Sequence, residues 1–342
     1  MKLNDKQILS AAVGAVRSVK DGRGIGFRRF SEKQEAIFTE RKELFPEPYF
    51  NEAFGSYFGN NCLTGAGIGL DFVTDADAVE ITRGGYDRIN DAKEILTSDL
   101  LIDGRLVRSF EEDRVRVSFR DKKERRIRLY LPYFRSDFLS GVELEGATVF
   151  RPSFEAGTDI LLLGDSITHG VGALHPSRTM AAVLGRRLDA RVLNQGNSGY
   201  VYDPDTLERV CLPKLIVMAY GHNDRGRKTP DRLFADTSAY AKRIRALWGN
   251  VPAVGILPLW CAAETDPGTE KHFRMLDGLF REAYESCGVT VIDGAELIPH
   301  DPQYFSDAAH PNDRGYLIYG SRLAKKLTEK GLYRKQTEKG RF

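Results

Sequence analysis

The hydrophobic and polar positions of the chain follow two different patterns, which change near residue 150. From about residue 64 to 150, apolar residues alternate with polar ones, as in "GIGLDFVT", "RVRVSF" and "RRIRLYLP". A period of two is typical of strands with one buried face. The Gly-Gly pair of "TRGGYD" and the Asp-Gly pair of "IDGRLV" favour tight hairpin turns. Short strands joined by such turns predict a β-sandwich.

The first sixty residues are less regular. They predict a helix over residues 6–20 and another near 32–44. The glycines of "GAGIG" (65–69) are interpreted as a hairpin loop, because no strand–helix–strand pattern surrounds them as a nucleotide-binding loop requires.

After "FRPSFEAG" (150–157) the strands become continuous apolar runs separated by helical segments. Runs that are buried on both faces and alternate with helices predict an α/β domain with a parallel sheet covered on both sides. The predicted organisation is a helical segment plus β-sandwich over 1–150, a linker over 151–157, the α/β domain over 158–332 and a tail over 333–342. The predicted strands are "DILLLG", "ARVLNQG", "KLIVMAYG", "PAVGILPL" and "VTVIDG", and the predicted helices lie near 178–188, 230–248, 270–286 and 312–330.

Composition excludes several classes of protein. The formal net charge is only +2 over 342 residues, so no large excess of charge favours nucleic acid or anionic membranes. The four cysteines are far apart and lack metal-ligand spacing, which predicts reduced thiols and a cytoplasmic protein without a metal. The apolar run "ILSAAVGAV" lacks a convincing cleavage site, so it is interpreted as a helix and not as a signal peptide. Self-association remains open.

Candidate functional residues follow four of the five predicted parallel strands, at the sheet edge where open α/β sheets bind ligands. They are Ser166, Gly196, Asn223 and the pair Asp307 and His310. A serine becomes a strong nucleophile when a histidine accepts its proton and a carboxylate orients that histidine. Taken one by one, the serine fits a helix N-cap, the asparagine and the glycine fit turns, and the last two residues fit a surface loop. Their joint occurrence favours acyl transfer.

The predicted roles follow from this chemistry. Ser166 is the nucleophile, His310 the base and Asp307 its partner, while Ser166, Gly196 and Asn223 donate to the oxyanion. Three further side chains are predicted to line the substrate pocket, and the carboxylate before the serine is predicted to order its loop. The pocket residues are His169, His222 and Trp260, the carboxylate is Asp165, and the remaining histidines, His175, His272 and His300, are interpreted as surface or loop residues.

The segments "GDSITHG", "GHND" and "DAAHP", with Gly196, resemble the four sequence blocks of the SGNH hydrolases, also called the GDSL esterase/lipase family. The resemblance implies a flavodoxin-like three-layer domain over about 158–332, the site roles given above, and no cofactor. The sequence does not match the G-x-S-x-G elbow of α/β-hydrolases, because Thr168 occupies the position of the second glycine. The first half is similar to the jelly-roll domain of two-domain carbohydrate esterases.

The predicted function is therefore a serine esterase for small acyl esters, in particular acetyl esters of a carbohydrate or related metabolite. Two alternatives remain open. The same serine serves an acyltransferase equally well, and a catalytically silent carbohydrate-binding protein would keep the same fold. The predicted partner is a small acylated saccharide, with no nucleic acid and no membrane.

Overall fold

The computed structural model describes residues 1–40, 50–51, 55–88 and 96–334. The chain forms two compact units. The first unit runs from Met1 to Gly157 and also includes the short segment His175–Ser177. The second contains Thr158–Leu174 and the chain from Arg178 onwards. No helix among the described residues is long and apolar enough to cross a membrane.

The first unit is a sandwich of two antiparallel sheets. Its helices are α1 (Asp5–Ala11), α2 (Glu32–Glu40) and α3 (Tyr57–Cys62). Its strands are β1 (Ala12–Val13), β2 (Arg17–Asp21), β3 (Gly24–Arg28), β4 (Phe50–Asn51), β5 (Gly55–Ser56), β6 (Gly69–Thr74), β7 (Ala78–Arg88), β8 (Ser98–Ile102), β9 (Arg105–Phe110), β10 (Arg114–Ser118), β11 (Arg125–Tyr130), β12 (Arg135–Glu145) and β13 (Phe150–Pro152). One sheet has the order β1-β6-β11-β8-β9 with β13 on β6, and the other has the order β10-β7-β12-β3-β2.

The alternating strands place one face of each sheet in a common core. Ile127 and Leu129 of β11 are buried, and so are Leu70 and Phe72 of β6, which pairs with it. Val79 of β7 joins the same cluster from the other sheet. The predicted β-sandwich is confirmed, since the hydrophobic effect favours burial of these faces against each other.

One predicted hairpin turn is wrong. The "TRGGYD" segment lies inside β7, where Gly85 has a φ of +139° and the pairing with β12 shifts register. A Cβ on Gly84 would lie 1.7 Å from the carbonyl oxygen of Arg23. The two glycines therefore serve a bulge and a close backbone approach. The Asp-Gly turn is confirmed, with φ of 50° at Asp103 and 80° at Gly104 between β8 and β9.

The predicted helix over 6–20 is wrong beyond its first half. Helix α1 ends at Ala11, and the chain then forms β1 and β2. Tertiary pairing with β6 and β3 supplies the backbone hydrogen bonds there, which overrides the local helical pattern. The second predicted helix is confirmed as α2, and its predicted end, 41–44, lies outside the described residues.

The second unit is a parallel sheet covered by helices. Its strands are β14 (Ile160–Gly164), β15 (Val192–Gly196), β16 (Leu215–Ala219), β17 (Ala253–Ile256) and β18 (Thr290–Ile292). Its helices are α4 (Ser166–His169), α5 (Met180–Leu188), α6 (His222–Arg227), α7 (Pro230–Trp248), α8 (Pro267–Glu285) and α9 (Asp313–Glu329). The strand order is β15-β14-β16-β17-β18, and every pair is parallel. Helix α5 packs on α9 and α7 packs on α8, which gives the two outer layers.

The predicted parallel sheet and its flavodoxin-like order are confirmed. Every residue of β14 is buried, as expected for a strand with helices on both faces. This strand lies between β15 and β16, so the direction of winding switches at its carboxyl end. Ligands bind at such a switch point.

The structure differs from the predicted domain organisation at the linker and at the tail. Residues 151 and 152 of the predicted linker belong to β13, which pairs with β6. In the predicted tail, Tyr333 is only 4% exposed, and residues 335–342 lie outside the described part of the chain.

Candidate active site

Ser166 begins helix α4 directly after the buried strand β14. The N-cap of α4 is Asp165, whose Oδ1 accepts the Ile167 N–H at 3.0 Å. The serine side chain therefore does not cap the helix, and the alternative of a capping serine is excluded. The Ser166 backbone N–H is the first of the helix, and such N–H groups have no partner within the helix.

Ser166, His310 and Asp307 form a continuous chain of hydrogen bonds. Ser166 Oγ lies 2.7 Å from His310 Nε2, and His310 Nδ1 lies 2.7 Å from Asp307 Oδ2. Ser166 is 7% exposed, and the histidine side chain is 23% exposed. This arrangement lets the histidine accept the serine proton while the carboxylate fixes the tautomer of the ring.

The carboxylate of Asp307 orients both the backbone and the ring of the histidine. Its Oδ1 accepts the N–H groups of Ala309 and His310 at 2.8 and 2.7 Å. Partial burial raises the pKa of the Asp307 carboxyl, but the hydrogen bonds from the His310 and Ala309 backbone outweigh this and lower it below its ordinary value. The group is therefore a carboxylate at neutral pH.

A small closed loop holds this pair. Phe305 and Pro311 form an antiparallel bridge, and the Ser306 N–H donates to the His310 carbonyl at 2.8 Å. Pro311 lies before the last helix and is not part of its first turn. Helix α9 starts at Asp313, with Asn312 as its N-cap, so the bridge and not the helix fixes the loop.

Asn223 follows strand β16 on the other side of the switch point. It lies in the first turn of α6, whose N-cap is Gly221 with a φ of +113°. Its Nδ2 donates to the Tyr200 carbonyl oxygen at 3.0 Å. The side-chain amide is thereby held against the loop that follows β15.

The predicted oxyanion role of Gly196 does not agree with the structure. Its N–H donates to Asn194 Oδ1 at 2.9 Å, so it is already used inside the sheet. A Cβ here would lie 2.4 Å from the backbone nitrogen of His169. Gly196 is thus a glycine because the end of α4, at Thr168 and His169, packs on it.

Gly199 is better placed than Gly196 to donate its N–H to an oxyanion. It has a φ of +78°, and its N–H donates to no described residue. Its carbonyl accepts from Arg227 Nη1 at 2.7 Å, and the next residue, Tyr200, is the one bonded by Asn223. The sequence alone does not distinguish this glycine from an ordinary turn residue, because its spacing from β15 does not reveal which N–H is left for a ligand.

The three predicted pocket residues differ in burial. His169 is 0% exposed and Trp260 6%, so neither presents a free surface to a ligand. Trp260 stacks on the ring of His300 at 5.5 Å between ring centroids and packs against Phe305. Only His222 is partly exposed. Burial, together with the charge of Arg225, lowers the pKa of the His222 ring to about 4, which keeps it neutral.

Two buried carboxyl groups lie behind the site. Asp165 is 1% exposed, and burial together with the nearby charge of Asp224 raises its pKa to about 7. Asp224 is 0% exposed, and burial raises its pKa although Lys228 Nζ lies 2.7 Å away. Asp224 Oδ1 also accepts the Tyr202 N–H at 3.2 Å. These groups hold loops together and do not reach the nucleophile.

Two residues that the sequence did not indicate support the site. Tyr316 of α9 donates to the carbonyls of Ile167 and Val171, at 3.0 and 2.7 Å. A Cβ on Gly172 would lie 2.6 Å from the Pro311 carbonyl oxygen and 3.1 Å from the Cβ of His310. A tyrosine on an amphipathic helix and a glycine in a loop carry no signal of such a role in one sequence.

The described residues contain no group of three or more His, Cys, Asp or Glu side chains that could hold a metal ion. The four cysteines are free.

Comparisons with solved structures show which proteins share this fold. A salicylyl-acyltransferase from a tetracycline biosynthetic pathway is 19% identical, with a TM-score of 0.68 over 95% of this chain and 96% of that chain. A protein described as a GDSL-like lipase from Bacteroides ovatus is 16% identical, with a TM-score of 0.73 over 98% and 99%. A family two carbohydrate esterase from Clostridium thermocellum, solved in complex with cellohexaose, is 14% identical, with a TM-score of 0.59 over 78% and 92%.

No curated protein sequence matches the chain. Residues 162–318 match the family model described as GDSL-like Lipase/Acylhydrolase family. This match spans Asn223 and also Ser166, His310 and Asp307, the three residues that form the hydrogen-bond chain. Through residues 162–318, just under half of its length, the chain is therefore similar to the GDSL-like lipase/acylhydrolase family.

Proposed function

We propose that this enzyme is a serine esterase that removes small acyl groups, in particular acetyl groups, from a carbohydrate or related metabolite. The observation that carries the proposal is the hydrogen-bond chain from Ser166 Oγ through His310 to Asp307, with both distances at 2.7 Å. A cap or a structural loop would not require a serine, a histidine ring and a carboxylate in that order.

In the proposed first step, Ser166 Oγ attacks the ester carbonyl carbon, and its proton passes to His310 Nε2. The carbonyl oxygen becomes an oxyanion. His310 then gives the proton to the alcohol oxygen, the C–O bond breaks, and an acyl-enzyme remains on Ser166. Water attacks this ester with His310 again as the base, which releases the acid and restores the serine.

The proposed oxyanion donors are the backbone N–H groups of Ser166 and Gly199 and the side-chain amide of Asn223. The free N–H of Gly199 and the bond from Asn223 to the adjacent Tyr200 carbonyl support this assignment. Donors that are fixed before the reaction stabilise the developing charge without reorganisation.

The proposed substrate class draws on the fold. The Clostridium thermocellum carbohydrate esterase was solved with a cellohexaose, and an acetyl xylan esterase from Butyrivibrio proteoclasticus also shares the fold. An acetylated saccharide as partner, without a cofactor, is therefore the proposal. A cytoplasmic location stays a prediction.

The test compares wild type with Ser166→Ala on p-nitrophenyl acetate and then on acetylated oligosaccharides. We expect the variant to lose turnover by at least about 1000-fold, with an unchanged thermal unfolding midpoint. A series of p-nitrophenyl esters with longer acyl chains tests which acyl group the enzyme prefers. Faster cleavage of long acyl chains than of acetyl would contradict the acetyl preference, and equal rates for both proteins would leave only the silent binding protein.

An acyltransferase is the second candidate, because the salicylyl-acyltransferase shares the fold over 95% of this chain. The acyl-enzyme is the same, and an acceptor alcohol then replaces water. Product analysis with glucose or cellobiose present distinguishes the two reactions. New ester in excess over free acetate would support the transferase.

A further inference from the structure

Asp165 is a buried carboxyl group that the proposed reaction does not use. It directly precedes the nucleophile and is 1% exposed. Its Oδ1 accepts the Ile167 N–H at 3.0 Å, and its backbone carbonyl accepts the His169 N–H at 2.9 Å. On this side it fixes the turn from which the Ser166 N–H projects.

The same carboxyl group also faces the turn that carries Asn223. Asp165 and His222 line one small cavity, together with Ala219 at the end of β16. The His222 backbone N–H interacts with the carboxyl group and favours its charged form. His222 is the residue immediately before Asn223. Asp165 therefore bonds the backbone on one side of the switch point and shares a cavity with the His222 turn on the other side.

A carboxyl group at this position is costly, and capping alone does not require it. The groups that face it are Asp224, Tyr220, His222 and Tyr319, and they include no lysine or arginine among the described residues. Threonine caps α5 and α7 through Thr179 and Thr229, without a buried charge. Serine or threonine would cap α4 equally well, so the cap does not explain why a carboxyl group lies at the cavity that it shares with His222.

We propose that Asp165 is a positioning residue that holds the Asn223 turn in register with the Ser166 turn, so that their oxyanion donors converge. The inference rests on the proposed esterase function. Asp165 does not touch the substrate. It acts by keeping the Ser166 N–H and the Asn223 amide at a fixed separation, and a small error in such a separation weakens the stabilisation of the oxyanion strongly.

The test is a double-mutant cycle between Asp165→Ser and Asn223→Ala. Serine keeps the cap of α4 but is too short to reach the His222 turn. We expect kcat on p-nitrophenyl acetate to fall by about 10- to 100-fold in Asp165→Ser and by about 100- to 1000-fold in Asn223→Ala. The KM of Asp165→Ser should stay within about twofold. The double variant should have a kcat within about threefold of Asn223→Ala, because both changes disrupt one interaction.

The matched control is Asp293→Ser. Asp293 follows strand β18 and caps the short turn Gly294–Glu296 through the Ala295 N–H at 3.0 Å, the same geometry at a different strand end. The kcat of Asp293→Ser should stay within about twofold of wild type. If Asp165→Ser does not fold, Asp165→Asn is measured in the same cycle, because it keeps the size of the side chain and places an amide against the His222 N–H.

Two outcomes overturn the inference. One is a kcat of the Asp165 variant within about twofold of wild type. The other is a double variant whose loss equals the product of the two single losses. Ser166→Ala distinguishes failure of the inference from failure of the proposed function. If Ser166→Ala is inactive and Asp165→Ser is fully active, only the inference about Asp165 is wrong. If Ser166→Ala is fully active, the proposed esterase function is wrong.

Discussion

Ser166 Oγ and His310 Nε2 are 2.7 Å apart although 144 positions separate the two residues in the chain. Strand β14 delivers the serine to the carboxyl edge of the sheet, and the closed loop before α9 delivers the histidine. The sheet is thus the frame of the site.

Replacing Asp307 by asparagine tests the orientation of the histidine. The Oδ1 of asparagine keeps the backbone bonds from Ala309 and His310, but its Nδ2 is a donor and does not accept the Nδ1 proton of the ring. The ring would adopt the wrong tautomer, so we expect kcat to fall by about 100- to 10,000-fold with little change in KM. Steady-state kinetics and a thermal unfolding curve check this. A loss of less than about tenfold would mean that the carboxylate is not needed.

Replacing Tyr316 by phenylalanine tests the contact between α9 and the nucleophile turn. The single hydroxyl proton is shared between the Ile167 and Val171 carbonyls, and its loss leaves both acceptors without that donor. We expect a loss of about 1 to 2 kcal/mol in the free energy of unfolding and a several-fold fall in kcat. Urea denaturation and kinetics measure the two effects.

Tyr319→Phe is the control for this change. Tyr319 is on the same helix and 1% exposed, and its hydroxyl makes no hydrogen bond to a described residue. We expect stability and kcat close to wild type. Equal losses in the two variants would show that the two carbonyl contacts of Tyr316 have no special effect.

Gly172→Ala tests the loop that packs on the histidine. An alanine Cβ would lie 2.4 Å from Ser306 Oγ and 2.6 Å from the Pro311 carbonyl oxygen, at a φ of +93°. We expect a destabilisation of about 1 to 3 kcal/mol and a fall in kcat of at least about tenfold, because the His310 loop must move. Gly288→Ala has a similar φ of +68° with nothing within 4 Å, and should lose stability without losing kcat. Wild-type kcat in Gly172→Ala would argue that the loop shifts freely.

The His222 ring should make stability depend on pH. Burial lowers its pKa to about 4 in the folded protein, whereas an unfolded histidine has a pKa of about 6.5. Below about pH 6.5 the unfolded state binds a proton that the folded state does not, so stability falls as the pH falls from about 6.5 to 4. His222→Gln lacks this effect, and between pH 7 and pH 4.5 the difference in unfolding free energy should shift in favour of the variant by about 1 to 3 kcal/mol. Denaturant titrations at several pH values measure it, and a constant difference would contradict it.

Much of the site could be predicted because parallel strands end at a common edge. Ser166, Asn223, Asp307 and His310 each follow a strand or precede the last helix, and the structure brings the serine, histidine and carboxylate into hydrogen-bond contact. Gly196 was predicted wrongly as an oxyanion donor because the sequence shows where a glycine lies but not which atom accepts its N–H.

The pocket residues illustrate the same limit. His169 lies three positions after the nucleophile but is 0% exposed, because the whole of helix α4 is buried in the protein. Trp260 follows strand β17, and its ring stacks on His300 within the protein. Proximity along the chain does not determine which way a side chain points.

The sequence by itself determined the two kinds of strand, the boundary between them and the set of reactive residues, because hydrophobic period and turn chemistry are local properties. Tertiary structure decided three other things: the bulge at Gly84 and Gly85, the strand pairing that ends α1 early, and the packing of Tyr316 and Gly172 around the nucleophile and its base. These depend on contacts between segments far apart in sequence. Such contacts are set by which faces the whole chain can bury together, and no local pattern records them.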